Sequence, residues 1–315
     1  MGDKELDFVE RMLEGDRIAL SRLITTVENR SQSLPDIVKR IHPHTGRSYI
    51  IGVTGPPGAG KSTLVDKLIV LFRKEGKKVG VVAVDPSSPF TGGAILGDRI
   101  RMQAHALDEG VFIRSLGSRG SHGGLSRATK EVVRLYDAFG MDYVVIETVG
   151  VGQTELDIME VADTILVVLV PESGDSVQMM KAGLMEIGDI FVVNKADREG
   201  AQRLSAEIRA MFSINPREDG WQTPVILTHA GEDRGVEEIF EQIKSHRLHQ
   251  LEGNSLKAKR ERKREKELSG ILSEVLQKRI SEKLEDREFE KVLSSVKKGE
   301  IDPYEAVDII LSRIL

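Results

Sequence analysis

The N-terminal part of the chain follows a helical pattern. Apolar residues recur at spacings of three and four between residues 4 and 41, and Gly15-Asp16 interrupts them. Pro35 is predicted to open a short second helix, which the turn-forming residues up to Gly46 would close. We therefore predict an N-terminal helical segment over residues 1–46.

The pattern changes to alternating strands and helices from residue 47 to residue 250. Strands that are apolar on both faces and alternate with helices are typical of an α/β fold, in which a mostly parallel sheet is covered by helices on both faces. The predicted strands are 48–54, 79–84, 111–115, 143–148, 165–170, 190–194 and 224–228. The predicted helices are 62–75, 95–107, 122–139, 175–187, 199–213 and 235–248.

The third part of the chain, residues 251–315, shows no strand pattern and is predicted to be a helical extension. Its stretch "KAKRERKREKEL" is dense in charge. Glu residues interrupt the basic run and no aromatic residue accompanies it, which favours a solvated helix face over a nucleic-acid patch. An apolar stripe from Leu268 to Leu284 suits burial against a partner subunit.

Composition narrows the function classes. The 315-residue chain has a net charge of -5, so no overall positive field attracts nucleic acid or anionic lipid. It contains no cysteine, which excludes disulfides, thiolate zinc sites and Cys nucleophiles. No apolar run approaches the roughly 20 residues that cross a bilayer, and the N-terminus lacks a signal core. We expect a cytoplasmic protein with neither nucleic acid nor membrane as a partner.

The stretch "GPPGAGKST", residues 55–63, follows a predicted strand and precedes a predicted helix. It matches the phosphate-binding pattern G-x-x-x-x-G-K-[ST], whose glycines turn backbone N–H groups toward an anion at a helix N-terminus. Lys61 would reach the β- and γ-phosphates, Ser62 would offer its hydroxyl to Mg²⁺, and Thr63 would contact the α-phosphate. The predicted nucleotide-binding residues of this loop are Gly55, Gly58, Ala59, Gly60, Lys61, Ser62 and Thr63.

The stretch "FVVNKAD" ends a later strand and predicts which base is bound. Asp197 can accept two hydrogen bonds from guanine, whereas adenine lacks the matching pair of donors. Sites that depend on such a polar match reject the wrong partner by roughly 10⁴-fold. The Lys195 stem can lie over the purine, and Asn194 can tie this loop to the phosphate-binding loop. The prediction is a site for GTP and GDP.

A second loop, "LTHAGEDRG", follows the next predicted strand. Backbone N–H groups around Thr228, His229 and Ala230 can donate to guanine O6, which would complete the base site. Taken alone, "NKAD" is also compatible with a helix cap. Its place at a strand end, downstream of a phosphate-binding loop, favours the base site.

The stretch "ETVG" stands where GTPases usually carry Asp-x-x-Gly. Gly150 would donate its N–H to the γ-phosphate, and Glu147 would act on Mg²⁺ directly or through a water. Asp85 and Asp98 are further candidates near the mouth of the site, and each alone is more often a cap than a ligand. Asp85 is favoured because it ends a strand at the ligand-binding edge. The predicted metal site comprises Ser62, Asp85, Asp98 and Glu147.

The residue after Gly150 is Val151, where many GTPases have a Gln that orients water. An aliphatic side chain cannot do this, so intrinsic hydrolysis is predicted to be slow, on the order of 10⁻⁴ to 10⁻² s⁻¹. A partner or a moving loop would then complete the site. Gln153 and Lys181 are candidates to approach the γ-phosphate, although a polar loop residue and a helix-surface lysine are equally compatible with their spacing. The predicted catalytic residues are Lys61, Asp98, Glu147, Gln153 and Lys181.

Five segments together resemble one family. They are "GVTGPPGAGKSTL", "AVDPSSPFTGGAILGDRIRM", "SRGSHGGLSRAT", "ETVGVGQTE" and "VNKAD". The chain is similar over nearly its whole length to the G-protein chaperones of methylmalonyl-CoA mutase, formerly labelled LAO/AO transport system kinases. These proteins are P-loop GTPases of the SIMIBI class. The segment that begins at Asp85 is the most specific, because generic P-loop GTPases lack it.

The resemblance implies a function and an assembly. It implies a homodimer joined by the C-terminal helices, with an adenosylcobalamin-dependent acyl-CoA mutase as the client. GTP hydrolysis would gate loading of intact cofactor and removal of damaged cofactor. It also implies that Lys61 and Ser62 are the P-loop pair, that Asp197 reads the base and that Lys181 belongs to a mobile loop. Asp85, Asp98 and Glu147 would form the acidic metal and hydrolysis site.

Two other classes remain open from the residues alone. A nickel-type metallochaperone GTPase would carry Cys/His clusters or His-rich tails, but this chain has no cysteine and seven scattered histidines. A nucleotide-dependent kinase or transport ATPase would use ATP, which the "NKAD" motif disfavours. Nickel binding and the relative affinities for ATP and GTP discriminate among the three.

Overall fold

The computed structural model describes residues 2–29, 31–85, 103–105, 107–117, 127–148, 157–171, 183–214, 217–284 and 287–314. The chain forms two compact units, Met1–Leu256 and Lys257–Leu315. The first unit contains the whole sheet, and the second contains helices only, as far as the described residues extend.

The sheet has seven strands within the described residues, and every pair of neighbours is parallel. The strand order is β3-β2-β4-β1-β5-β6-β7. All carboxyl ends therefore lie at one edge, where α/β folds bind ligands. The strands are β1 (Tyr49–Thr54), β2 (Val79–Asp85), β3 (Val111–Gly117), β4 (Tyr143–Thr148), β5 (Thr164–Leu169), β6 (Ile190–Asn194) and β7 (Val225–Thr228).

The described α-helices connect and cover these strands. In the first unit they are α1 (Gly2–Leu13), α2 (Arg17–Glu28), α3 (Leu34–Ile41), α4 (Lys61–Lys74), α5 (Arg127–Phe139), α6 (Leu184–Ile187), α7 (Ala201–Ile214) and α8 (Val236–Glu252). The helix α9 (Ser255–Leu284) leads into the second unit, which also holds α10 (Arg287–Lys297) and α11 (Pro303–Ile314).

Alternate side chains of each central strand enter two separate cores. Tyr143 and Val145 of β4 pack on the face covered by α4 and α8. Val144 and Ile146 pack on the opposite face, together with buried residues of α1, α2, α3, α5 and α7. Burial on both faces explains why these strands have continuous apolar sequences. The N-terminal helices thus share one core with the sheet.

The strand predictions are confirmed, since each observed strand begins and ends within two residues of the predicted one. The N-terminal prediction needs a correction, because three helices occur where two were predicted. The additional boundary lies at the predicted interruption, Gly15-Asp16, where α1 ends and the Asp16 side chain caps α2, and α3 opens beside Pro35 as predicted. The predicted helices 95–107 and 175–187 lie mostly outside the described residues.

The second unit is helical over its described residues, and Phe289 and Ala306 are buried within it. The division found at Leu256 lies close to the predicted boundary at residue 250. The finer division into 1–46, 47–250 and 251–315 stays a prediction. In the part of the chain that the structure describes, each helix is too short or too polar to cross a membrane.

Candidate nucleotide-binding site

The loop between β1 and α4 depends on its glycines. Gly55, Gly58 and Gly60 have φ angles of 134°, 75° and 89°, which L side chains rarely adopt. A Cβ on Gly55 would lie 2.0 Å from the carbonyl oxygen of Val168, and one on Gly60 would lie 2.3 Å from Nδ2 of Asn194. The glycines therefore allow the loop to pack closely against two neighbouring strands.

Lys61 is the first residue of α4 and is only 5% exposed. Its Nζ donates hydrogen bonds to the carbonyl oxygens of Gly55 at 2.7 Å and Pro56 at 3.0 Å. These bonds hold the ammonium group across the loop, beside the N-terminus of α4. A compact cation in that position, next to the positive end of the helix dipole, suits a polyphosphate.

Ser62 and Glu147 form a buried pair of oxygen donors. The Ser62 hydroxyl donates to Oε1 of Glu147 at 2.6 Å, and both residues are less than a tenth exposed. Hydroxyl and carboxylate oxygens are the ligands that Mg²⁺ prefers, so this pair fits a magnesium ion. Asp85 is the last residue of β2, the strand beside β4, which places its backbone at the same edge of the sheet.

A cavity of about 410 Å³ lies in front of these groups. It lies between the phosphate-binding loop of residues 55–63, called the P-loop, and the ends of β2, β4 and β6. The lining residues are Pro57, Gly58, Gly60, Lys61, Ser62, Thr63, Val84, Glu147, Thr148 and Lys195.

The Asn194 side chain connects three loops, as the sequence analysis expected for its link to the P-loop. Its Nδ2 donates to the carbonyl oxygen of Ala59 at 2.8 Å, and its Oδ1 accepts from the N–H of Ala230 at 3.1 Å. Lys195, which follows it, has a φ of 55° and lines the cavity. Asp197 has a half-exposed carboxylate. The "NKAD" segment therefore lies beside the P-loop.

The loop after β7 is held in place by its own backbone. His229 and Arg234 exchange N–H···O bonds of 3.1 and 3.3 Å. The amide groups of His229 and Ala230 thus both donate within the protein, so their donation to guanine O6 stays a prediction. Thr228, which is buried, ends β7 just before this loop.

An ion pair that the sequence analysis missed anchors this loop to α4. Lys67 Nζ lies 2.9 Å from Oδ1 of Asp233, and this hydrogen bond raises the pKa of Lys67 above its ordinary value. Asp233 has a φ of 60°, a conformation that Asp tolerates better than most residues. No local pattern connects a helix-surface lysine with a distant loop, so the sequence carries no signal for this contact.

Comparison with known proteins assigns the family. The model of "Methylmalonyl Co-A mutase-associated GTPase MeaB" matches residues 20–285. The chain belongs to the MeaB family. Among its relatives, a putative GTPase of Pyrococcus abyssi is 50% identical over 312 residues, which cover 98% of this chain and 96% of the relative. The GTPase ArgK of Escherichia coli is 40% identical over 243 residues, covering 75% of this chain and 73% of ArgK.

Two further relatives of this chain extend the comparison. The mouse protein "Methylmalonic aciduria type A homolog, mitochondrial" is 30% identical over 334 residues, covering 99% of this chain and 80% of the relative. The crystal structure of a LAO/AO transport system kinase superposes with a TM-score of 0.74 at 29% identity, covering 99% of this chain and 98% of that one. The resemblance drawn from the sequence and the P-loop GTPase fold are both confirmed.

Four predicted site residues of this MeaB-family chain lie outside the described residues. They are Asp98, Gly150, Gln153 and Lys181. Their roles stay predictions, as does the role of the Asp85 side chain.

Proposed function

We propose that this MeaB-family protein is a cytoplasmic GTPase that binds GTP with Mg²⁺ and hydrolyses it to GDP and phosphate. In this proposal, the GTPase cycle gates adenosylcobalamin loading and the protection or reactivation of an acyl-CoA mutase of the methylmalonyl-CoA mutase type. The observation that carries the nucleotide assignment is the double hydrogen bond of Asn194. These bonds connect the P-loop to the segments that follow β6 and β7, which are the two proposed base loops.

The proposed phosphate site uses groups of three kinds. Backbone N–H groups of residues 55–63 would cradle the phosphates, and Lys61 would orient the β- and γ-phosphates. Ser62 and Glu147 would hold Mg²⁺ with the help of Asp85 and Asp98. Mg²⁺ held by these oxygens would supply positive charge to offset the negative charge of the phosphates.

The proposed base site is centred on Asp197. Its two carboxylate oxygens would accept from guanine N1–H and the exocyclic amine, while the Lys195 stem covers the ring. The variant Asp197→Asn is expected to shift preference from guanine toward xanthine nucleotides, because the amide can donate to the xanthine O2. Competition between GDP and XDP measures this shift. An unchanged guanine preference in the variant would refute the base site.

Slow intrinsic hydrolysis is part of the proposal. Val151 offers no hydrogen bond to an attacking water, so Gly150, Gln153 and Lys181 are proposed to act only when a partner or loop completes the site. Single-turnover assays on the isolated protein are expected to give a rate on the order of 10⁻⁴ to 10⁻² s⁻¹. A rate near roughly 10 s⁻¹, typical of fully assisted GTPases, would contradict this step.

The mutase as a partner is supported by the family's description and by the name of the mouse relative. Adding an adenosylcobalamin-dependent acyl-CoA mutase is expected to accelerate GTP hydrolysis by at least about tenfold, which is modest beside the acceleration that GTPase partners can give. Separate assays with methylmalonyl-CoA and isobutyryl-CoA mutases identify the client. Lys61→Ala, assayed with the same mutase, is the control for phosphate release that does not come from the proposed GTPase site. Neither binding nor acceleration with either mutase would refute the chaperone role.

The proposal also includes homodimerisation through residues 251–315. Apolar side chains of α9, including Leu268, Leu272 and Val275, are exposed in the single chain. We expect light scattering to find a dimer that Leu272→Glu dissociates. The matched control Ser273→Glu, at a neighbouring exposed position of the same helix, is expected to stay dimeric. A monomeric wild-type protein would refute this part.

A further inference from the structure

The loop that follows β7 places a histidine, His229, between two carboxylates. Nε2 of His229 lies 3.7 Å from Oδ1 of Asp197, and Nδ1 lies 3.3 Å from Oε2 of Glu232. The His229 side chain is 27% exposed, whereas both carboxylate side chains are about half exposed. The imidazole is thus the more enclosed group, and it faces the residue proposed to read the base.

The backbone that carries His229 is well fixed. His229 and Arg234 pair through two backbone hydrogen bonds, and the next residue, Ala230, donates its N–H to Asn194. Asn194, which also bonds the P-loop, therefore helps to fix the backbone from which the imidazole projects. Such support from a second layer of contacts is what keeps a binding group in a productive geometry.

The carboxylate beyond Nδ1 has another partner. Arg234 Nη2 lies 2.8 Å from Oε2 of Glu232. A neutral imidazole carries one N–H and can donate to only one carboxylate at a time. Arg234 balances the charge of Glu232, and an imidazole that carries its N–H on Nε2 faces Asp197 across 3.7 Å, a gap that a small side-chain rotation would close to a hydrogen bond.

A half-exposed aspartate can rotate its carboxylate, yet recognition of guanine by two hydrogen bonds needs both oxygens turned toward the base. We propose that His229 is a positioning residue that donates to Asp197 and fixes the plane of its carboxylate. This inference rests on the proposed function, in which Asp197 reads guanine. It assigns the imidazole a role in base specificity rather than in phosphate transfer.

The test compares GDP with IDP, since inosine lacks the exocyclic amine and can make only one of the two hydrogen bonds. We expect the wild-type protein to bind GDP more tightly than IDP. In His229→Leu the ratio of the two affinities is expected to fall roughly tenfold, the effect of one charge-assisted bond. His229→Gln, which retains a side-chain N–H, is expected to keep most of the preference. Glu232→Gln is the matched control, because it changes the other carboxylate, and it is expected to behave as wild type.

The outcomes separate this inference from the function on which it rests. If the wild type prefers GDP but His229→Leu keeps the full GDP-to-IDP ratio, His229 has no positioning role and the base site still stands. Equal losses in His229→Leu and His229→Gln would also overturn the donor role. If the wild type binds neither GDP nor GTP, the proposed function itself fails. A general loss of fold would weaken GDP and IDP binding equally and leave their ratio unchanged, which likewise contradicts the inference.

Discussion

The two edges of the sheet use polar residues in opposite ways. At the carboxyl edge, Lys61, Ser62 and Glu147 line an open cavity and sit beside glycines in left-handed conformations. At the amino edge, Tyr49 and Thr164 begin β1 and β5 and are almost completely buried. The same parallel strands thus border an open cavity at one end and a closed hydrogen-bond network at the other.

The closed network joins strands, a loop and α8. The Tyr49 hydroxyl and Thr164 Oγ1 are 2.6 Å apart, and Thr164 Oγ1 is 2.8 Å from Nδ1 of His246. Tyr49 also donates to Gln250 at 3.0 Å. Burial raises the pKa of Tyr49 above its ordinary value, so the hydroxyl stays protonated and can donate. On our proposal, polar groups of the amino edge maintain the fold, whereas those of the carboxyl edge serve a ligand.

The largest expected effect comes from the carboxyl edge. Lys61→Ala removes the cation beside the phosphates and is expected to weaken GDP and GTP binding by about 3 kcal/mol, which is roughly a hundredfold. Because the carbonyls of Gly55 and Pro56 also lose this donor, the free energy of unfolding is expected to fall by about 1–2 kcal/mol. Lys74→Ala, at the exposed end of the same helix, is the control and should bind like wild type. Equal affinities for Lys61→Ala and wild type would contradict the phosphate assignment.

An intermediate effect is expected at Asn194, which contributes both to the fold and to the proposed binding site. Asn194→Ala breaks the bonds to Ala59 and Ala230 and leaves two backbone groups without this partner. We expect a loss of about 2 kcal/mol in stability together with roughly tenfold weaker GDP binding. Urea unfolding and nucleotide titration of one preparation measure both. A loss of stability without any loss of affinity would show that the loop connection does not shape the site.

The smallest effect is expected at the amino edge. Thr164→Val keeps the shape of the side chain but removes the hydroxyl shared by Tyr49 and His246. The free energy of unfolding should fall by about 1–2 kcal/mol, because buried polar groups lose a partner. GDP affinity should remain as in the wild type. A clear change in GDP affinity would contradict the separation between the two edges.

The fold and the P-loop could be predicted because their signals are local. Continuous apolar runs bounded by glycines and charged residues mark the strands, and the spacing of Gly55, Gly60 and Lys61 marks the phosphate loop. The link made by Asn194 could also be anticipated, since the "NKAD" motif occurs at a strand end. Gly15-Asp16 was expected only to interrupt a helix, whereas the Asp16 side chain caps a new helix by accepting from the N–H groups of Ile18 and Ala19.

The remaining contacts join residues that are far apart along the chain. Nothing near Lys67 indicates that it pairs with Asp233, and nothing near Thr164 indicates that it bonds to His246. The carboxylate of Asp137, which accepts the backbone N–H groups of Arg47 and Ser48, was likewise unexpected. Such pairs form only when the sheet brings distant segments together, so composition and periodicity do not predict them.

The central claim is that the carboxyl edge of this sheet binds a guanine nucleotide. Calorimetric titration of the wild-type protein with GDP and ADP, each with Mg²⁺, tests it most directly. The account predicts saturable binding of GDP and binding of ADP that is weaker by at least roughly a hundredfold, because a polar match at Asp197 excludes adenine. Absence of GDP binding, or equal affinities for GDP and ADP, would contradict the account.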